Sequence, residues 1–368
     1  MSQLDGIIRA EILAAGPMRF DRFMEMALYH PGLGYYAKTG GLPAIGRPGD
    51  FFTSVSVGPL FGRLLARQFH QMWQGLGKPR PFGVIEQGAH DGRLARDILE
   101  WCRAETPDFF DAMGYGIVRP SGSAPAMLAE FAGRITCFED LESLAVEQGV
   151  FFSNELADAF PVRRITRLSG EWREQHVDVK GEKLAWTDQP IEDAELIRAV
   201  RGLPTIEGYT TEINLRARHW IGQVARAIHR GYVLTIDYGW PASIYYAPFR
   251  TGGTLTARVQ HQTVDDPLAD PGDRDITAHV DFSALARAGE AAGLVTLGFL
   301  DQQRFLTGVA HDELNGTEGP RVNLQENLRA WNTLTHPEHL GARFQVLLQA
   351  KNAPGGLDGL RFARPGGL

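Results

Sequence analysis

Phe82-Gly83-Val84-Ile85-Glu86-Gln87-Gly88-Ala89-His90-Asp91-Gly92 runs straight into Arg93-Leu94-Ala95-Arg96-Asp97-Ile98-Leu99-Glu100-Trp101-Cys102. Phe82 to Ile85 reads as a short apolar strand, Arg93 to Cys102 as a helix, and the glycines between them as a tight turn. A strand that ends in an acidic residue and turns through glycines into a helix sets backbone N–H groups and the positive helix end beside a carboxylate. Open α/β sheets hold nucleotide-like ligands in this way. The stretch predicts such a sheet, with a ligand at the carboxyl ends of its strands.

The pattern continues outward from that turn. Tyr115 to Val118, Ile135 to Phe138 and Val150 to Ser153 read as strands, with a helix over Pro125 to Ala132. Short apolar strands alternating with helices predict an α/β fold with a mostly parallel sheet covered on both faces. Val162 to Thr187 breaks the rhythm: its runs are separated by Ser169-Gly170 and Lys180-Gly181, which predicts an antiparallel β-hairpin insertion over 162–187. A long helix from Glu212 to His229 then precedes a fifth strand, Tyr232 to Ile236, ending at Asp237-Tyr238-Gly239. Asp281 to Ala292 reads as a helix, Leu294 to Leu300 as a strand, Leu324 to Thr333 as a helix and Phe344 to Gln349 as the last strand. Upstream, three helices flank a loop, 30–58, rich in glycine and proline yet carrying Tyr35, Tyr36, Phe51 and Phe52. A loop with so many aromatic rings has to rest against something, and it is expected to act as a lid. The expected organisation is a helical N-terminal lid region (1–81), a sheet domain (82–351) with the hairpin insertion and a substrate-side loop (240–280), and a loosely ordered Gly/Pro-rich tail (352–368).

At 368 residues and 43% hydrophobic, the chain can bury a full core. A net charge of −7 gives no electrostatic pull toward nucleic acid or anionic lipid, so neither is expected as a partner. No uncharged apolar run approaches the roughly 18 residues of a membrane span, so membrane insertion is not expected. The first fifteen residues, with Asp5, Arg9 and Glu11, have neither signal-peptide nor transit-peptide character; a bacterial cytoplasmic location is the expectation. Cys102 and Cys137 lack metal-ligand spacing and are expected as buried thiols. His261, Asp275, His279 and Asp281 cluster in a stretch poor in apolar residues. They match none of the zinc spacings, so no metal is expected there. The segment is read as the border of a substrate channel, with His261 or His279 relaying a proton near neutral pH. Oligomeric state is not encoded in any of these patterns.

Ligand sites in such sheets lie beyond the carboxyl ends of the strands. Those ends carry Glu86 and its turn, Arg119, then Glu139 and Asp140, then Asn154, Glu155 and Asp158, and finally Asp237 and Tyr238. Dinucleotide folds favour G-x-G-x-x-G, which this turn lacks; the acidic-x-Gly-x-Gly-x-Gly turn of class I methyltransferases fits better, with His90 where the middle glycine stands. Structural readings stand beside the chemical ones. The glycines also suit an ordinary strand-to-helix connection, Asn154 suits a helix N-cap followed by acids in the first turn, and Asp237-Tyr238-Gly239 suits a plain turn.

Several segments together resemble the MidA-like family of S-adenosylmethionine-dependent methyltransferases, whose mitochondrial member is a complex I assembly factor that methylates a protein arginine. They are MALYHPGLGYY (26–36), GDFFTSVSVGPLFGRLLA (49–66), EQGAHDGRLARDIL (86–99), SNELADAFPV (153–162), IDYG (236–239) and GTLTARVQHQTVDDPLADPGDRDITAHVDFSAL (253–285), in the family's order. The resemblance implies a Rossmann-like class I methyltransferase fold, S-adenosyl-L-methionine as cofactor and a protein substrate, a respiratory-complex subunit being one candidate. It implies that Gly88, Ala89 and Gly92 wrap the methionine end of the cofactor, that Glu86 holds its amino group, and that Phe51 and Thr53 come from the lid. His90, Arg119, Glu139 and Asp140 complete the expected cofactor site. Asn154, Glu155 and Asp158 would lie beside the transferred methyl, with His261 on the substrate side.

Methyl transfer from a sulfonium is an in-line displacement, so the protein supplies alignment, exclusion of water and an anionic environment for the nucleophile. Carboxylates are the natural clamp for a guanidinium, which makes Glu155 and Asp158 the expected clamp and Asn154 the orienting group. Three residues depart from the family pattern: His90 for glycine, Arg119 for the acid that accepts from the ribose hydroxyls, and Ser56 for glutamate. An arginine accepts no hydrogen bond; at that place it would recruit a neighbouring carboxylate, face solvent or favour a phosphate-bearing ligand. Two alternatives follow, a non-catalytic assembly protein with a degenerate cofactor site and an NADP-linked oxidoreductase.

Overall fold

A parallel strand covered on both faces needs apolar side chains pointing both ways, and Val150, Phe151 and Phe152 are all fully buried in succession. The computed structural model describes residues 2–38, 53–120, 124–259, 262–317, 319–364 and 367–368. Two compact units divide the chain. One comprises Phe52–Leu156, Trp220–Gly239 and Phe282–Leu368; the other comprises Met1–Phe51, Ala157–His219 and Trp240–Asp281.

The first unit is built on strands β1 (Phe82–Gln87), β2 (Met113–Val118), β3 (Ile135–Phe138), β4 (Val146–Asn154), β5 (Ile228–Trp240), β6 (Val295–Asp301) and β7 (Phe344–Lys351). Their order across the sheet is β6-β7-β5-β4-β1-β2-β3. β1 runs parallel to both β2 and β4, and β4 parallel to β5, whereas β7 lies antiparallel between β5 and β6. This is the mostly parallel sheet expected of a class I methyltransferase fold. The register sets Gln87 beside Ser153, and Asn154 beside Ile236, so β1, β4 and β5 end side by side.

Helix α1 (Leu60–Gly75) covers this sheet with an apolar stripe at helical spacing, Leu64, Leu65, Phe69, Met72 and Trp73, all buried. Phe69 meets Phe152 of β4 at 5.0 Å between ring centroids; truncating it to alanine should cost about 3–5 kcal/mol. Helix α2 (Arg93–Glu105) buries Leu94, Ala95, Ile98, Leu99 and Cys102 in the same core. Beyond Asn352, Leu357 is buried, and the N–H groups of Asp358 and Gly359 donate to Gln71 and Gln68 of α1 at 2.9 and 2.8 Å. Both cysteines are free, Cys102 buried and Cys137 half-buried.

The second unit holds the antiparallel sheet expected after the fourth strand. Arg163–Leu168 pairs with Glu171–Lys180, and that strand pairs in turn with Lys183–Pro190 and with Met18–Arg19. Both Ser169 and Gly170 have positive φ, the conformation that joins a tightly twisted hairpin. One boundary moved. The helix expected from Glu212 begins instead as a strand, Thr210–Ile213, paired with Arg163–Thr166. Its β-branched threonines and isoleucine favour that extended backbone, and the helix starts at Leu215 after Asn214, whose Oδ1 accepts the Ala217 N–H at 2.8 Å. Pro125 to Ala132, expected as a helix, is a run of 3-10 turns over Ala126–Arg134. Among the described residues no helix is long and apolar enough to cross a membrane.

Candidate functional site

The turn after β1 joins a buried acid to a helix start. Glu86 is 2% exposed and accepts a hydrogen bond from the Tyr115 hydroxyl at 2.6 Å. Burial pushes its carboxyl up to about 7; the Tyr115 bond works the other way and Asp91 adds to the rise. Gly88, at φ +88°, passes so close to Leu156 that a Cβ would sit 3.4 Å from Leu156 Cδ1. His90 holds a left-handed conformation at φ +44°, the backbone a glycine would adopt without strain. Gly92, at φ +87°, caps α2, where Asp91 Oδ1 accepts the Arg93 N–H at 3.0 Å. Burial works to raise the Asp91 carboxyl, but hydrogen bonds from His90 and the Arg93 N–H outweigh it and hold the group below its ordinary range. The result is a carboxyl and a helix N-terminus on either side of a turn whose Gly88 is exposed, suited to a ligand with one cationic and one anionic end.

A second turn, after β4, lies against the first through the Gly88–Leu156 contact. Asn154 Nδ2 donates to Glu155 Oε1 at 3.0 Å, while Asn154 Oδ1 is buried without a hydrogen-bond partner among the described residues. Such an orphaned acceptor calls for a donor that a ligand brings. Glu155 is left-handed, φ +54°, and its N–H donates to Ile236 O at 3.0 Å. Burial pushes its carboxyl up to about 8, reinforced by Asp237 and opposed by Asn154 and the Ser54 N–H. Asp237 is fully buried, with Oδ2 accepting the Leu156 N–H at 3.1 Å and Oδ1 the Tyr238 N–H at 2.8 Å. The helix start expected at Asn154 does not form; only a 3-10 turn, Ala157–Ala159, follows.

Thr53 and Ser56 close a third turn on each other: the Thr53 N–H donates to Ser56 Oγ at 3.0 Å and Ser56 Oγ donates to Thr53 O at 2.8 Å. Ser56 thus serves its own turn. Ser54 Oγ donates to buried Gln302 Oε1 at 3.0 Å, fixing the backbone N–H that faces Glu155. Phe51 and the rest of 39–52 lie outside the described residues, as does His261.

The other expected residues fall as follows. Ala89 is buried within the first turn. Arg119 is half-buried at the end of β2, where its N–H donates to Phe138 O at 2.9 Å. Burial raises the Cys137 thiol and the Arg119 charge opposes it, which places the guanidinium within electrostatic reach of β3. Glu139 and Asp140 are exposed, and Asp140 accepts the Ser143 N–H at 2.9 Å in a local turn. Asp158 belongs to the other unit, whose boundary falls between Leu156 and Ala157. It is 8% exposed, and its carbonyl accepts the Ala278 N–H at 2.9 Å. In that unit Tyr36 donates to Asp275 at 2.8 Å, and His279 stacks on Trp240 at 4.2 Å. Burial and then Arg250 push the His279 imidazole down to about 4. Tyr115 shapes the site without a local motif, while Ser54 and Asp237 lie in the family-like segments 49–66 and 236–239 and only Asp237 was also marked by its place at a strand end.

Comparison with known proteins adds the following. The sequence model of a family described as "Putative S-adenosyl-L-methionine-dependent methyltransferase" matches residues 64–300. The chain is similar to the mitochondrial "Protein arginine methyltransferase NDUFAF7 homolog" of Drosophila melanogaster, 28% identical over 379 residues, covering 92% of this chain and 83% of that one. It is similar to human mitochondrial "Protein arginine methyltransferase NDUFAF7", 25% identical over 397 residues, covering 94% and 83%. Among solved structures, a protein from Burkholderia thailandensis bound to S-adenosyl-homocysteine superposes with TM-score 0.87 at 32% identity, covering 99% of this chain and 96% of that one.

Proposed function

The chain belongs to the S-adenosyl-L-methionine-dependent methyltransferase family whose model spans residues 64–300, and on that premise we propose that its methyl acceptor is an arginine side chain of a protein. The residues present fit the cofactor. Glu86 would pair with its ammonium, the peptide groups of the Gly88 turn and the α2 end would meet its carboxylate, and the exposed Gly88 leaves the backbone open to it. When bound, the cofactor supplies an electrophilic methyl on a sulfonium.

One observation carries the choice of acceptor. Beside the glycine turn stand the Glu155 carboxyl and the orphaned Asn154 Oδ1, two acceptors that match the N–H fork of a guanidinium. Glu155, pushed up to about 8, is basic enough to take the proton the acceptor nitrogen gives up as its bond to carbon forms. Asn154, held by Glu155, turns its free oxygen toward a second N–H and so aims the nitrogen. The arginine named as acceptor in the curated relatives agrees with this chemistry. Family membership also sets methyl transfer above the hydride transfer that Arg119 raised.

The test is label transfer. Purified protein, radiolabelled S-adenosyl-L-methionine and a bacterial protein extract should yield methylarginine on acid hydrolysis, and Glu155→Gln should abolish it. Label on lysine, on a small molecule, or nowhere would overturn the acceptor.

A further inference from the structure

We propose that Asp237 is a positioning residue for Glu155: through the N–H groups of Leu156 and Tyr238 it fixes the turn after β4 that carries the Glu155 carboxyl, and its buried charge acts on that carboxyl. The proposal rests on the role given to Glu155 under "Proposed function".

A left-handed backbone is unfavourable for a residue with a Cβ and persists only where its surroundings over-determine it. At Glu155, φ +54°, two bonds to β5 do so. The Glu155 N–H reaches Ile236 O at 3.0 Å, and the next N–H, that of Leu156, reaches Asp237 Oδ2 at 3.1 Å. A glycine would hold this turn without strain; a glutamate there retains a carboxyl at the cost of it. Asp237 itself is fully buried, and a buried carboxylate is tolerated where hydrogen bonds satisfy it, here from Leu156 and from Tyr238 at 2.8 Å.

The second part of the role is electrostatic. Among the described residues, the groups that face the Glu155 carboxyl are Asp237, the Asn154 amide from β4 and the Ser54 N–H from the turn before α1. The last two are donors that favour the carboxylate; Asp237 is the charge that opposes it. Removing that charge leaves two donors against burial, which makes Glu155 a weaker base.

Asp237→Asn separates this from plain structural support. In carbon-13 spectra of glutamate-labelled protein, with Glu155→Gln as the assignment control, the Glu155 carboxyl of Asp237→Asn should titrate lower by on the order of one unit. The acid limb of kcat/KM should move down in pH with it. An unmoved midpoint in a folded, cofactor-binding variant overturns the proposal. If Asp237→Asn does not fold, Asp237→Ser carries the same titration. Amide exchange in the wild type tests the anchoring half: Leu156 and Tyr238 should be among the slowly exchanging N–H groups, and fast exchange at both overturns it. A shifted midpoint in a protein that does not methylate arginine would sustain Asp237 and remove the acceptor reading. Arginine methylation with an unshifted midpoint would do the reverse.

Discussion

The turn after β1 and the turn after β4 stand side by side at the ends of neighbouring parallel strands, yet they are built on opposite principles. The first spends glycines at two of its three left-handed positions, Gly88 and Gly92, leaving His90 the one side chain held there, and α2 closes the turn at once. The second forces Glu155 into the same left-handed region, has no α-helix behind it, and is braced by Asp237 from β5. A turn of glycines shapes a place for another molecule's backbone-like atoms, whereas a strained glutamate keeps a reactive side chain where a glycine would have been easier. Under the proposed function, the first turn would seat the cofactor and the second would serve the acceptor.

The sharpest way to break that division is Glu155→Gln. Loss of a general base lowers turnover by about 10²–10⁴-fold, while cofactor affinity by calorimetry should stay within about twofold, because the β1 turn is untouched. Unchanged turnover removes Glu155 from the chemistry. Gly88→Val tests the other turn. Its Cβ would reach 3.4 Å from Leu156 Cδ1 at φ +88°, where a branched side chain is strained. Cofactor affinity should fall by about 100-fold or more, with about 1–2 kcal/mol lost in thermal unfolding. Equal affinity would show that the ligand does not approach Gly88.

These two turns were not equally legible. Glu86, Gly88, Gly92 and the helix behind them are contiguous, so chain order alone revealed strand, turn and helix. The hairpin at Ser169-Gly170 was legible for the same reason. The groups that set the character of the site come from far along the chain. Tyr115 is 29 residues from Glu86, and Asp237 is 81 residues from Leu156; only the sheet order β5-β4-β1-β2 brings them together. Asn154-Glu155-Leu156 also suited a helix start, because an N-cap and an acid in the first turn are what a helix wants. Tertiary bonds to Ile236 and Asp237 decided otherwise. The start of the helix before β5 was misplaced because Thr210 to Ile213 has a tertiary strand partner that local periodicity does not register.

A third test uses pH. The Glu86 carboxyl, raised from its ordinary value to about 7, is protonated in the folded chain at pH values where it would be ionised in the unfolded one. Its proton therefore adds stability that is fully present below about 4.5 and lost as pH rises toward 7. Binding of a cationic ammonium runs the other way, weakening up to about tenfold per unit as pH falls below 7. Tyr115→Phe removes the hydrogen bond that opposes the rise, so the midpoint of the binding curve should move up in pH. Calorimetric titration between pH 5 and 9 would show it; a flat profile separates Glu86 from the ammonium.

The smallest effect is expected from Arg119→Glu, and it tests whether the first turn still seats a complete cofactor. The resemblance implies an acid at the end of β2 that accepts from ribose hydroxyls, and a guanidinium has no acceptor to offer. Because the Arg119 N–H, not its side chain, bonds Phe138 O at 2.9 Å, the substitution leaves β2–β3 pairing intact. A glutamate in this half-exposed position regains one hydrogen bond to a charged acceptor, discounted for solvent. That gives about 1 kcal/mol, or about fivefold tighter S-adenosyl-L-methionine binding. Weaker binding would mean that the guanidinium itself has been recruited to the cofactor, by stacking or through a bridging carboxylate. The first turn would then owe its fit to a side chain from β2 and not to its glycines alone.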